Sequence, residues 1–112
     1  VNNAVAARSE RLSIVLQGSV HGFGFRPTIY RLAWGLGLAG WVRKTQTGIE
    51  VQVEGGPQQL SLFMAKLRLE RPPAAMVTIE TVLTIPLIGG RSFEILPDAA
   101  ASASLNPAYA PS

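Results

Sequence analysis

Apolar and polar residues alternate from Arg11 to Gln17, with Leu12, Ile14 and Leu16 on one side and Ser13, Val15 and Gln17 on the other, which predicts a half-buried strand. From Pro27 the period changes. Ile29, Leu32, Ala33 and Leu36 share one helical face, and Gly35 and Gly37 mark the end of that helix. A second strand is predicted from Leu38 to Thr45 and a turn at Thr47-Gly48. Ile49, Val51 and Val53 then alternate with Glu50, Gln52 and Glu54 in a third strand paired antiparallel to the second. Gly55-Gly56-Pro57 breaks the strand, and Leu60, Phe63, Met64 and Leu67 follow at helical spacing until Arg71-Pro72-Pro73. Val77, Ile79, Thr81, Leu83 and Ile85 alternate as another strand before Pro86. Gly89-Gly90 turns the chain into a short last strand, Ser92 to Leu96, with Phe93 and Ile95 expected inward.

The order β-α-β-β-α-β, with an added short strand, predicts an α+β fold: a ferredoxin-like α/β sandwich with two helices on one face of an antiparallel sheet. At 112 residues the chain supports one compact core. We expect an amino-terminal extension over 1–10, the domain over 11–96, and an Ala, Ser and Pro-rich tail or interdomain linker over 97–112. The chain has no cysteine and one histidine, which excludes disulfides and thiolate chemistry and argues against a metal centre, so no cofactor is expected. No apolar run approaches the roughly 18 residues of a membrane span, and the start VNNAVAARSE lacks a signal-peptide core. The expected setting is the cytoplasm, away from membranes. A net charge of +3 is spread along the chain, with Arg43-Lys44 the adjacent basic pair of the fold. Such spacing fits a small anion better than a nucleic acid.

The stretch QGSVHGFGFRP joins the first strand to the first helix. Glycines at Gly18, Gly22 and Gly24 permit positive φ, which turns backbone amides inward, and Pro27 suits the first turn of a helix. A phosphate or carboxylate fits such a cradle, and Arg26 adds a planar, permanently charged fork for two oxygens of one phosphoryl group. Neither a P-loop nor a dinucleotide fingerprint is present, because no Gly-Lys-Ser/Thr follows and Pro27 stands where the third glycine of G-x-G-x-x-G belongs. His21 reads as a structural loop residue rather than a general base. Trp34 and Trp41 read as packing or partly exposed residues rather than a base-stacking platform.

The loop, together with GWVRKTQTGIEVQVEG, resembles an acylphosphatase domain over Arg11 to Leu96. Within that superfamily, RPTIYRLAWGLGLAGWV and RPPAAMVTIE resemble the amino-terminal domain of the HypF carbamoyltransferases of [NiFe]-hydrogenase maturation; a free-standing acylphosphatase usually lacks the proline after the loop arginine. The resemblance implies carbamoyl phosphate as a small-molecule substrate, further domains in a longer chain, and a carbamoyl-accepting maturation protein as partner. It also implies that the phosphoryl group is held by Arg26 and the loop Ser19, Val20, His21, Gly22, Phe23, Gly24 and Phe25. The family's water-orienting asparagine falls on Lys44. A protonated lysine offers three donors and no acceptor, so it adds charge beside the phosphate without accepting a proton from water. Thr45 or Gln46 is left to place the water. Three further readings therefore stand beside that hydrolase: a stand-alone acylphosphatase, a binding or regulatory module that holds a phosphate or acyl phosphate without turnover, and an interaction domain with a vestigial loop.

Overall fold

The computed structural model describes residues 8–19, 24–70 and 76–98. The loop positions Val20, His21, Gly22 and Phe23, the expected stop at Arg71-Pro72-Pro73 and the tail beyond Asp98 lie outside the described residues. The chain runs β1 (Glu10–Ser19), α1 (Phe25–Gly35), β2 (Ala39–Lys44), β3 (Gly48–Gly55), α2 (Pro57–Glu70), β4 (Met76–Ile85) and β5 (Phe93–Ile95). The strands form one sheet in the order β4-β1-β3-β2-β5. β2 pairs antiparallel with β3, as expected from the turn between them, and β1 pairs antiparallel with both β3 and β4. The added strand departs from a purely antiparallel sheet: β5 runs parallel to β2, matching Gly40 with Phe93 and Val42 with Ile95.

Both helices cover one face. Ile14 and Leu16 of β1, Val42 of β2 and Ile49, Val51 and Val53 of β3 pack with Phe25, Ile29 and Ala33 of α1 and Leu60, Phe63 and Leu67 of α2 in one cluster. These are the helical stripes expected from the sequence, extended one turn earlier by Phe25, which is 2% exposed. Phe93 joins the cluster beneath Tyr30, at 6.3 Å between ring centres, but Ile95 is 43% exposed rather than inward. It sits on an edge strand, where the cover that Tyr30 gives Phe93 is not repeated.

β4 carries a second departure. Its register shifts opposite Gln17 and Gly18, so Val77 faces Gly18 on the helix side while Thr81, Leu83 and Ile85 stand opposite Val15, Ser13 and Arg11 on the other side. A β-bulge splits what reads in sequence as a single alternating face. Val77 packs against the core and Leu83 is more than half exposed.

At Gly40 the backbone has φ 135°, and a β-carbon would run into the Gln52 carbonyl of the neighbouring strand. Gly40→Ala is expected to cost about 1–3 kcal/mol, because it combines a disfavoured dihedral with a backbone clash. Gly35→Ala, with open space at that position, should be neutral or slightly stabilising. Thermal melts of the two variants check the contrast.

Candidate functional site

The strand directions bring the chemistry to one end of the sheet. β1 and β2 both run antiparallel to β3, and β5 runs parallel to β2, so the carboxyl ends of β1, β2 and β5 lie together. Ser19 ends β1, Lys44 ends β2, and α1 begins after the loop that leaves β1. Two glycines shape this end. Gly18 has φ 130° at the bulge and donates its amide to the Thr47 carbonyl at 2.9 Å, tying β1 to the β2-β3 turn. Gly24 has φ 72° and caps α1 in the left-handed conformation, where an L side chain is strained. Its carbonyl accepts from both the backbone N–H and the Oγ1 of Thr28, at 3.2 and 3.0 Å.

The first turn of α1 contains no acidic residue, and Pro27, third in the helix, brings no N–H and so leaves none orphaned. The first turn of α1 therefore brings no acid of its own to the positive end of the helix dipole. Phe25, the last position of the anticipated cradle before Arg26, sends its side chain into the core, which leaves its backbone amide as the group it can offer a ligand. Arg26 lies one residue further. Its side chain is 34% exposed, and Nη1 donates to Asp98 Oδ1 at 3.2 Å.

Lys44 stands opposite Ile49, on the helix-bearing face, and is half-buried. It forms no hydrogen bond or ion pair with the described residues. The adjacent Arg43 points to the other face, where it pairs with Glu50 at 3.1 Å and stacks over Trp41 at 4.9 Å. Strand alternation thus separates the only neighbouring basic pair of the fold: Lys44 goes to the site and Arg43 away from it. Thr45 is already engaged, since its Oγ1 accepts the Gly48 amide at 3.0 Å, and Gln46 is exposed. Trp34 is 55% exposed on α1, with its ring tilted against that of Tyr30 at 6.2 Å between centres.

Sequence reading placed Arg26, Gly24 and Lys44 at this end of the sheet, but missed Asp98. No local pattern marks it, because 72 residues separate it from Arg26 and the pairing of β5 with β2 brings it there. The Arg11–Glu54 pair was missed as well. It lies at the far end of β1 and β3 on the helix-free face, where Arg11 is 2% and Glu54 8% exposed beneath the segment that follows β4.

A chain with this sheet and this pair of helices on one face belongs to the acylphosphatase family, whose model matches residues 12–95. The chain is 40% identical over 88 residues to an acylphosphatase of Synechococcus sp. (strain CC9311), covering 77% of this chain and 96% of that protein. It is also 44% identical over 70 residues to the carbamoyltransferase HypF2 of Cupriavidus necator, covering 62% of this chain but only 9% of that protein. A full-length HypF in its phosphate- and nucleotide-bound form superposes with a TM-score of 0.79 at 22% identity, over 85% of this chain and 13% of that one, which shows the shared fold. The chain thus spans about a tenth of the carbamoyltransferases it matches and nearly all of a stand-alone acylphosphatase. Among the described residues no helix is long and apolar enough to cross a membrane.

Proposed function

We propose that this chain is the acyl-phosphate-handling domain of a HypF-type carbamoyltransferase, binding carbamoyl phosphate and cleaving its acyl-phosphate bond. The observation that carries the reading is the position of Arg26, in the first turn of a helix that opens on a left-handed glycine and has no acidic residue of its own in that turn. The likeness to HypF2 of Cupriavidus necator supports the choice of carbamoyl phosphate. In this reading the loop from Ser19 to Phe25 presents amides, and Arg26 contributes its fork to the phosphoryl oxygens. A water attacks phosphorus, and the bridging P–O bond breaks with its electron pair passing to the carbamate. The water's proton leaves on a phosphate oxygen. Fixed donors are worth a few kcal/mol each where charge develops in such a step. The carbamate would pass to further domains of a longer cytoplasmic chain and on to a carbamoyl-accepting maturation protein.

Lys44 favours a second reading, a module that holds the acyl phosphate without turning it over. Without an acceptor, the ammonium strengthens anion binding but cannot orient the attacking water. Phosphate release from carbamoyl phosphate and benzoyl phosphate separates the two readings. The proposed hydrolase predicts slow release by the parent and a gain of about 10- to 100-fold in Lys44→Asn, the range expected when a reactant is better positioned. A silent parent beside an active Lys44→Asn variant would instead establish the binding module. Silence from both proteins, each correctly folded, would contradict the hydrolase.

A further inference from the structure

We infer that Asp98 is a positioning residue for Arg26, holding the guanidinium in place for an anion before the anion arrives. This rests on the reading of Arg26 as a phosphoryl-binding group.

The carboxylate is delivered by the fold. β5 pairs with β2 from Phe93 to Ile95, and the Leu96 amide donates to the Val42 carbonyl at 2.8 Å, carrying the pairing one residue beyond the strand. Phe93 is locked beneath Tyr30 of α1. Asp98 follows two residues after Leu96, and the intervening Pro97 restricts the backbone between them. The ion pair thus ties the first turn of α1 to the end of β5. The other described ion pairs have different jobs: Arg11–Glu54 and Arg43–Glu50 each join adjacent strands, and Arg68–Glu80 joins α2 to the sheet.

Among the described residues, nothing occupies the Nε and Nη2 edge of Arg26. Only Nη1 is engaged, by a single carboxylate oxygen at 3.2 Å. Nε and Nη2, the edge that holds two oxygens of one phosphoryl group, make no hydrogen bond with the described residues. A carboxylate acting as a competitor would take that edge. An arginine side chain loses much rotamer freedom when it is held by a ligand, and ordering it in advance removes part of that cost from binding. The opposing effect is repulsion between the carboxylate and an incoming phosphate. With the two side chains 34% and 54% exposed, water and salt screen both effects, so the net change is modest.

The test is the dissociation constant of inorganic phosphate, followed by 15N–1H spectra of the full chain and of Asp98→Ala, Asp98→Asn, Arg26→Ala and the double variant Arg26→Ala/Asp98→Ala. Asp98→Ala is expected to weaken phosphate binding about 3- to 5-fold, the range open to an exposed pair. Asp98→Asn keeps an acceptor at Oδ1 and should restore binding to the parent level or better. Asp98→Ala should add nothing in the Arg26→Ala background, and all melting temperatures should stay close to the parent's. The Arg26 Nε–H resonance should exchange faster with water in Asp98→Ala, a signature that a merely structural role for Asp98 does not produce. Phosphate binding equal to or tighter than the parent's in Asp98→Ala, with Arg26→Ala still defective, would overturn the positioning role and leave the phosphate site standing. Absence of phosphate binding by the parent, or binding indifferent to Arg26, would overturn both.

Discussion

Arg26→Ala is expected to weaken inorganic phosphate binding by about 100-fold while leaving the fold intact. The guanidinium is the fixed cation in the first turn of α1, and its Nε and Nη2 edge is not spent on the described protein groups. Hydrogen bonds to charged groups contribute about 1.5–3 kcal/mol each, so losing a two-oxygen contact accounts for a change of this size. Little stability goes with it, because the Asp98 pair is exposed on both sides. Arg26→Lys should recover only part of the affinity, since an ammonium supplies charge without the planar fork. Calorimetric or spectroscopic titration of the three proteins checks the order parent, Lys, Ala.

Glu54→Ala is expected to be the most damaging single substitution to stability, costing about 3–5 kcal/mol. Arg11 donates from Nη1 to Glu54 at 3.0 Å and from Nε to Gln52 Oε1 at 2.8 Å, and it is buried. The other lone pairs of Glu54 accept the amides of Ile88 and Gly89, both at 2.9 Å, which pins the segment between β4 and β5 over the helix-free face. Removing the carboxylate strands a buried guanidinium and two amides together. For a domain of this size the melting temperature should fall by more than about 12 °C.

The same group sets an acid limit on stability. Burial pushes the Glu54 carboxyl up, but the Ile88 amide, the Arg11 side chain and the Gly89 amide outweigh it and hold the carboxyl below its ordinary value of 4.5. The folded protein therefore keeps this carboxylate ionised at a pH where the unfolded chain protonates it. Its contribution is complete above about pH 4.5 and is lost as the pH falls through the lower folded value. A melting-temperature profile against pH should show this acid loss in the parent and a reduced one in Glu54→Ala. Phosphate affinity at neutral pH should be unchanged in that variant where it remains folded, because Glu54 and Arg26 lie at opposite ends of the sheet.

Much of this molecule is legible in one dimension. The period-2 pattern at Leu12, Ile14 and Leu16 and at Ile49, Val51 and Val53 reports one buried face, and the stripes at Ile29 and Ala33 and at Leu60, Phe63 and Leu67 report the helices covering it. Gly24 and Arg26 are legible because a left-handed cap and a first-turn cation are local events. What escapes is whatever long-range pairing decides. The bulge between β1 and β4 turns Leu83 to solvent and Val77 to the core, although both belong to the same alternating run. Glu54 alternates like a solvent-facing residue and is buried because the chain after β4 folds back over it. Asp98 follows a three-residue edge strand whose partner lies some fifty residues earlier, so its approach to Arg26 has no sequence signature.

A titration of the 15N-labelled chain with inorganic phosphate, followed residue by residue, bears most directly on the anion site. The amides of Gly24, Phe25 and Arg26 and the signals of Lys44 should shift together along one saturating curve, while Ile88, Gly89 and Glu54 at the far end stay still. Shifts centred on the far end, or no saturable change at the start of α1, would contradict an anion site built from the β1-α1 loop, Arg26 and Lys44.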